Sequence, residues 1–321
     1  MPDTSNPTSS PNSPSILVTG ATGNLGREIV DRLAAHGARV RGLARGQAAP
    51  RRGVDRVVGD LTDPVAVREA LAGVDAVFLI WPRLDTSAAH GLISELTAAA
   101  PRVVYLSSSA VDDEAARQSD PVVQVHADME TLLHEAGLRP VVLRSDTLAS
   151  NTRGWAGQLR TRDVVAGPDA ARTAVVDERD VADAAAAVLL APHDRPDHGP
   201  HVLTGPEVLS RADQIAHLGA ALRRDLRFQS LPADLARSRM LADGRPEPLV
   251  EALITASERR PPSGRVTDHI ERLTGHPART FANWAADHAA EFESSHQRLP
   301  DAPASGRGSD GHHGHRTEGA E

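Results

Sequence analysis

The chain has 321 residues, enough for one large or two small domains with a sizeable core. Its 35 basic and 43 acidic residues give a formal charge of -8, which excludes a broad basic face for nucleic acid or an anionic membrane. With no cysteine, no lysine and a single tyrosine, Tyr105, the chain excludes disulfides, thiolate nucleophiles, Cys-ligated zinc, Schiff bases, a Walker lysine and any Tyr/Lys catalytic pair.

Residues 1–14 (MPDTSNPTSSPNSP) are polar and proline-rich and predict a disordered arm, without the basic and apolar regions of a signal peptide. Strand-like runs follow at Ile16–Thr19, Val40–Ala44, Val54–Val58, Val74–Ile80, Val103–Leu106 and Val141–Arg144. Between them the pattern predicts helices over Asn24–His36, Pro64–Ala72, about Ala88–Ala100, and Val123–Ala136. Pro64 directly after Asp63 reads as the first helical residue behind an N-cap. This alternation predicts an α/β fold, a doubly wound parallel sheet over residues 15–200 with helices on both faces. Near-continuous apolar runs such as VDAVFLI fit strands buried on both sides.

After Arg144 the rhythm changes. Residues 145–170 are irregular and predict a substrate-side segment. A run at Thr173–Val176 leads into a helix ending near Leu190, and His201–Thr204 precedes a helix opened by Ser210. Residues 201–295 are expected to form a smaller, mostly helical C-terminal substrate lobe, and 296–321 a disordered tail. No apolar run reaches membrane-spanning length, so the expectation is a cytoplasmic protein without membrane or nucleic-acid partners.

The sharpest local feature is Gly20, Gly23 and Gly26, placed directly after a strand and at the start of a helix. So tight a turn needs residues without Cβ, both for positive φ and for close approach of backbone N–H groups to a pyrophosphate. The helix N-terminus adds partial positive charge. The pattern therefore predicts a Rossmann dinucleotide site. NAD sites place a carboxylate about 20 residues beyond the loop to hold the ribose hydroxyls. Here that stretch carries Arg41 and Arg45 instead, which suits a 2′-phosphate and predicts NADP(H) over NAD(H), with Arg45 the better placed. The alternative is a pair of solvated loop charges. Asp60 ends the third strand, either at an adenine edge or as a turn cap.

These motifs recur together: GATGNLG at 20–26, VRGLAR at 40–45, GDLTDP at 59–64, AGVDAVFLIWP at 72–82, VVYLSSSAV at 103–111, HADMETLLHEAGL at 126–138, VDERDVA at 176–182 and LTGPEVLS at 203–210. In them the chain resembles the NmrA-like branch of the atypical short-chain dehydrogenase/reductase superfamily, over roughly residues 15–295. That group holds NADPH-dependent quinone and azo-dye reductases, relatives that reduce iminium groups, and redox-sensing regulators. The resemblance implies that Gly20, Thr22, Gly23, Asn24, Leu25 and Gly26 cradle the pyrophosphate and that Arg45 contacts the 2′-phosphate. It further implies that Asp60 and Leu61 flank adenine while Ile80, Trp81 and Pro82 border the nicotinamide. Trp81 has a second reading, as a cap on the core.

The catalytic part departs from the superfamily, whose acid/base Tyr and Lys positions fall on Val122 and His126. Tyr105, inside a strand, reads as a packed residue. Two weak catalytic candidates remain. Ser107 either hydrogen-bonds a substrate carbonyl or the nicotinamide amide, or caps its strand. His126 either holds a ribose hydroxyl or donates a proton, or is a plain surface histidine. Asn151 and Trp155 are candidates for a substrate wall, and Asp177 and Asp180 for bracing the following helix. His312, His313 and His315 read as part of a solvated tail, so no metal site is expected. Relatives carry Arg-Pro where this chain has Arg144-Ser145, which opens the conformation of the following loop to question. Without a Tyr/Lys pair, hydride acceptors whose adducts need no immediate proton fit best: quinone-like, azo, iminium or other conjugated small molecules. The alternative is a non-catalytic NADP-sensing regulator acting through protein partners.

Overall fold

The computed structural model describes residues 13–46, 53–192 and 199–293; most of the expected arm, the tail and its histidines lie outside them. The chain alternates β1 (Ser15–Thr19), α1 (Asn24–Ala35), β2 (Arg39–Ala44), β3 (Val54–Val58), α2 (Pro64–Leu71), β4 (Ala76–Leu79), α3 (Ala89–Ala99), β5 (Arg102–Ser108), α4 (Pro121–Glu135) and β6 (Val141–Ser145). There follow a 3-10 segment (Ala149–Trp155), α5 (Ala156–Leu159), β7 (Val164–Pro168), α6 (Glu178–Leu190) and β8 (His201–Leu203). The chain continues through α7 (Arg211–Leu222), β9 (Arg227–Leu231), α8 (Ala233–Ala242), α9 (Glu247–Arg259), α10 (His269–Thr274) and α11 (Phe281–Asp287).

Seven strands form one parallel sheet in the order β3-β2-β1-β4-β5-β6-β8, the doubly wound arrangement read from the sequence. Alternate strand residues feed opposite faces. Ile16, Val18, Phe78, Val104 and Leu143 join α1 and α6 in one core, while Leu17, Val77, Leu79, Tyr105 and Val142 join α2, α3 and α4 in the other. The side chain of Asp63 accepts from the Val65 amide at 2.9 Å, with Pro64 as the first helical residue. Asp120 and Pro121 repeat the device at α4, two residues before the expected start.

The second lobe has its own cores, built around Leu159, Val165, Leu218, Phe281 and Trp284, and around Leu231, Ala236, Val250 and Ile254. It also holds a second, two-stranded parallel sheet, β7-β9, which the sequence does not announce. Its strands, VVAGP and RFQSL, carry a Gly-Pro end and three exposed residues, so no alternating pattern marks them. Two expectations shift. Thr173–Val176 makes only single bridges, Thr173 to Leu209 and Val176 to Leu148, and forms no strand. The strand at 201–203, assigned from the sequence to the smaller lobe, pairs with β6 as the seventh strand of the main sheet. Among the described residues no helix is long and apolar enough to cross a membrane.

Candidate functional site

The carboxyl ends of β1, β4, β5 and β6 share one edge of the sheet, and the candidate site is assembled there. After β1 the chain turns at Gly20 with φ +64, and the Gly23 amide donates to the Gly20 carbonyl at 2.9 Å. A Cβ on Gly26 would lie 2.1 Å from that same carbonyl oxygen, so α1 can start this close only with glycine there. Gly42 on β2 leaves room for the loop in the same way, because a Cβ there would stand 2.9 Å from the Ala21 side chain. Gly23 is the N-cap of α1 and supplies no capping side chain, while Thr22, Gly23 and Asn24 are exposed. Free helix-terminal amides on an open glycine turn make a cradle that fits a pyrophosphate. Leu25 contributes from its backbone only, since its side chain is buried in the core.

Around this loop the predicted residues divide. Thr19 fastens β1 to β4, its hydroxyl taking the Ile80 amide at 2.7 Å, and Ile80 packs close to Gly20. Arg45 is open, with 76% of its side chain exposed, and its Nε lies 3.9 Å from Asp60 Oδ2. The Thr62 amide and hydroxyl both donate to Asp60 Oδ1 at 2.9 Å. The Asp60 carboxyl is held below the usual range, first by the Thr62 amide and then by the Thr62 hydroxyl and the charges of Arg45 and Arg83, against a partial desolvation. Asp60 is thus a turn anchor that also faces Arg45. Leu61 is buried in the core, which removes its side chain from an adenine pocket.

Two further corrections concern Arg41 and Trp81. Arg41 is not a cofactor ligand: its guanidinium donates to the carbonyls of Ala70 and Ala72 at 2.9 and 2.7 Å, closing the end of α2. Trp81 is 5% exposed and donates its indole N–H to the Asp85 carbonyl at 2.9 Å, so it caps the core, while the next residue, Pro82, is exposed.

At the ends of β5 and β6 lies a cavity of about 200 Å³, lined in part by Ser107, Val122, His126, Asp146, Asn151 and Arg260. Ser107 is not available as a proton donor, because its hydroxyl donates to Glu130. Glu130 in turn accepts from Arg144 Nε and Nη2 at 3.0 and 2.7 Å, and Arg144 grips Asp113 with Nη1 and the same Nη2. Arg144 and Glu130 are both almost fully buried, a charged network below the cavity floor.

His126 sits one helical turn before Glu130, and its Nδ1 lies 3.1 Å from the Tyr105 hydroxyl. Tyr105 is fully buried, and burial pushes its phenol pKa up, so it stays protonated. Among the described residues the phenol has no partner except His126. If Nδ1 carried the proton, the phenol O–H would be a buried donor without an acceptor. Tyr105 therefore donates, and His126 is the tautomer protonated on Nε2. Desolvation lowers the His126 pKa to about 4, so the ring is neutral at neutral pH. The sequence reading took Tyr105 as packing alone, and the pair spans 21 positions, with no local motif to reveal it.

The predicted substrate wall is brought to the site. Asn151 lines both this cavity and a larger one of about 1040 Å³ in the second lobe, which Trp155 also lines. The two cavities adjoin, sharing Thr147, Asn151, Thr173 and Arg260 in their walls. Asp177 and Asp180 lie elsewhere. Asp177 caps α6, accepting from the Arg179 amide, and Asp180 pairs with Arg279. Asp180, Asp183 and His276 bring potential metal-ligand atoms within 4.8 Å, but Arg279 pairs with both aspartates and Arg32 with Asp183. Those guanidiniums occupy the carboxylates.

Residues 20–192 match the family described as NAD(P)H-binding. Over 287 residues the chain is 37% identical to a (4-alkanoyl-5-oxo-2,5-dihydrofuran-3-yl)methyl phosphate reductase of Streptomyces griseus, covering 86% of this chain and 99% of that one. An NAD(P)H azoreductase of Xenophilus azovorans is 30% identical, with 86% and 99% covered. Among solved structures, an NADPH-dependent quinone oxidoreductase of Escherichia coli complexed with NADPH superposes with a TM-score of 0.68 at 23% identity, covering 85% of this chain and 99% of that one. The chain belongs to the NAD(P)H-binding family, on a Rossmann fold.

Proposed function

We propose that this member of the NAD(P)H-binding family is an NmrA-like reductase that uses NADPH to reduce a conjugated small molecule. The observation that carries this reading is a cavity at the carboxyl ends of β5 and β6, on the same edge of the sheet as the glycine cradle, where open α/β folds bind their ligands. The names of the relatives support a conjugated acceptor, since a butenolide-type lactone, an azo group and a quinone all accept hydride into a delocalised system.

When bound, the cofactor supplies a hydride. The chain supplies position and environment. Gly20, Gly23 and Gly26 with the α1 amides hold the pyrophosphate, Arg45 meets the 2′-phosphate, and Pro82 and Ile80 border the ring. His126 lines the cavity and offers an Nε2–H donor, its tautomer set by the hydrogen bond from Tyr105. A neutral donor of this kind stabilises negative charge developing on an acceptor oxygen or nitrogen. The one proton that completes reduction of a neutral acceptor after hydride transfer comes from water through the open cavity, because no Tyr/Lys relay exists.

The test is NADPH oxidation by purified protein with a panel of naphthoquinones, azo dyes, iminium salts and α,β-unsaturated lactones. Turnover with at least one class, reduced about tenfold or more in His126→Phe, is the expected outcome. Tight NADPH binding without turnover across the whole panel would favour the sensor instead.

A further inference from the structure

We propose that the second-lobe cavity holds the anionic end of the acceptor, a phosphate monoester, with Arg211 and Arg245 as its anchors; this rests on the reductase reading above. The cavity wall runs against the charge of the molecule. The whole chain has 35 basic and 43 acidic residues, yet the lining contains Arg162, Arg211, Arg239, Arg245 and Arg260 against a single acid, Asp243. Arg260 is paired with Asp120. Among the described residues the other four form no ion pair. A surface arginine can leave its charge to water. A recessed one cannot do so without loss, because desolvation penalises an uncompensated ion.

Arg211 is the recessed one. It opens α7 directly after the Ser210 cap, and its guanidinium leans under the lobe to donate to the Pro168 carbonyl, the last residue of β7. That carbonyl is its single hydrogen-bond partner among the described residues, so the rest of its donor fork is unused. Burial moves its pKa down and the charge of Arg260 adds to this, while the Asp169 carboxylate acts the other way without forming an ion pair with it. Arg245 approaches from the opposite side. It stands in the turn between α8 and α9, and its Nη2 reaches across to Gly154 in the 3-10 segment, 3.9 Å from where a Cβ would be.

Several forks with five fixed donors each suit the three terminal oxygens and double charge of a phosphate better than a carboxylate. The space is of ordinary ligand size. Because it adjoins the cavity lined by His126, with Asn151 and Arg260 in both walls, an acceptor whose conjugated head lies beside that histidine would reach the arginines with its charged end. The arginines would thus select among acceptors by charge while touching no reacting atom.

The experiment is calorimetry on the full chain saturated with NADP, so that the nucleotide's own phosphate site is filled. The probes are phenyl phosphate, benzoate and phenol. Phenyl phosphate should bind at one site at least tenfold tighter than benzoate, and phenol should not bind. Arg211→Gln and, separately, Arg245→Gln should each weaken phenyl phosphate about 10- to 100-fold, with NADPH affinity and melting unchanged. Arg211→Lys should recover only part of the loss. Equal binding of benzoate, or binding that survives both Gln variants, overturns the proposal. A protein that reduces a neutral quinone yet binds no phenyl phosphate keeps the reductase reading and loses the subsite. One that binds phenyl phosphate through Arg211 but reduces nothing keeps the subsite and loses the reductase.

Discussion

The nucleotide half and the substrate half of the site are built from opposite kinds of contact. The glycine turn closes within seven residues, from Gly20 to Gly26, and its requirements are steric and backbone-based. The substrate side is closed over long separations: Arg153 to Glu291, Arg260 to Asp120, Tyr105 to His126 and Arg144 to Glu130. A local steric constraint restricts which residues can stand there, whereas a distant charge pair can be met by many sequences. The chain therefore advertises its cofactor and conceals its substrate.

If the substrate floor is held by its buried charges, removing one partner should hurt more than any change at the loop. Glu130→Ala strips Arg144 of two donor contacts and Ser107 of its acceptor. It should lower unfolding stability by about 3–5 kcal/mol, the range for breaking a buried pair on one side. Urea denaturation measures this. A loss below about 1 kcal/mol would show that Asp113, which also grips Arg144, carries the floor alone.

The loop should respond differently, losing ligand before fold. Gly26→Ala puts a methyl group 2.1 Å from the Gly20 carbonyl oxygen, so the turn must open and the α1 amides must move. A strain of about 3 kcal/mol, at the upper end for overpacking, corresponds to roughly 100-fold weaker NADPH binding. Fluorescence titration of NADPH gives the answer, and undiminished affinity would mean that the cradle is not the pyrophosphate site.

The same division explains what could be read beforehand. The parallel doubly wound sheet, the Asp63-Pro64 helix start and the glycine turn follow from short patterns, and all are present. The identical Asp120-Pro121 signal stood in the sequence and passed unused. Arg45 was readable as the better placed of the two arginines, but the role of Arg41 was not, because it depends on α2 ending beside it, some 30 residues later. Trp81 could not be assigned either, since the Asp85 carbonyl that takes its indole proton belongs to a patternless loop. β7 and β9 pair across 63 positions, from Val164 to Arg227, with no periodic face. The tautomer of His126 needed the burial of Tyr105, which only packing decides.

The substrate side should also be acid-sensitive, to a smaller degree than the Glu130 change. The folded pKa of His126 is about 4 against an ordinary 6.5. A depressed histidine means the unfolded chain binds the extra proton first, so stability falls as pH drops from 6.5 towards 4. After allowance for its partly exposed edge the loss is about 2 kcal/mol. His126→Gln should flatten that part of the stability–pH curve. An unchanged slope would place the acid sensitivity in other groups.

The smallest effect is expected at Arg45, the residue on which cofactor choice was read. Its guanidinium is mostly exposed and already leans on Asp60, whose carboxyl stays ionised. A 2′-phosphate must therefore draw Arg45 away from an existing partner, and Arg83, which also acts on Asp60, remains as a second cation nearby. Both conditions trim the usual contribution of a charged hydrogen bond. Arg45→Ala should weaken NADPH about tenfold and leave NADH within about twofold, as titration calorimetry of both nucleotides would show. If the wild-type chain binds NADH as tightly as NADPH, Arg45 is a solvated charge and the preference for NADP does not hold. If NADH instead tightens on Arg45→Ala, then Asp60, released from its cation, is taking the ribose hydroxyls in the manner of an NAD site.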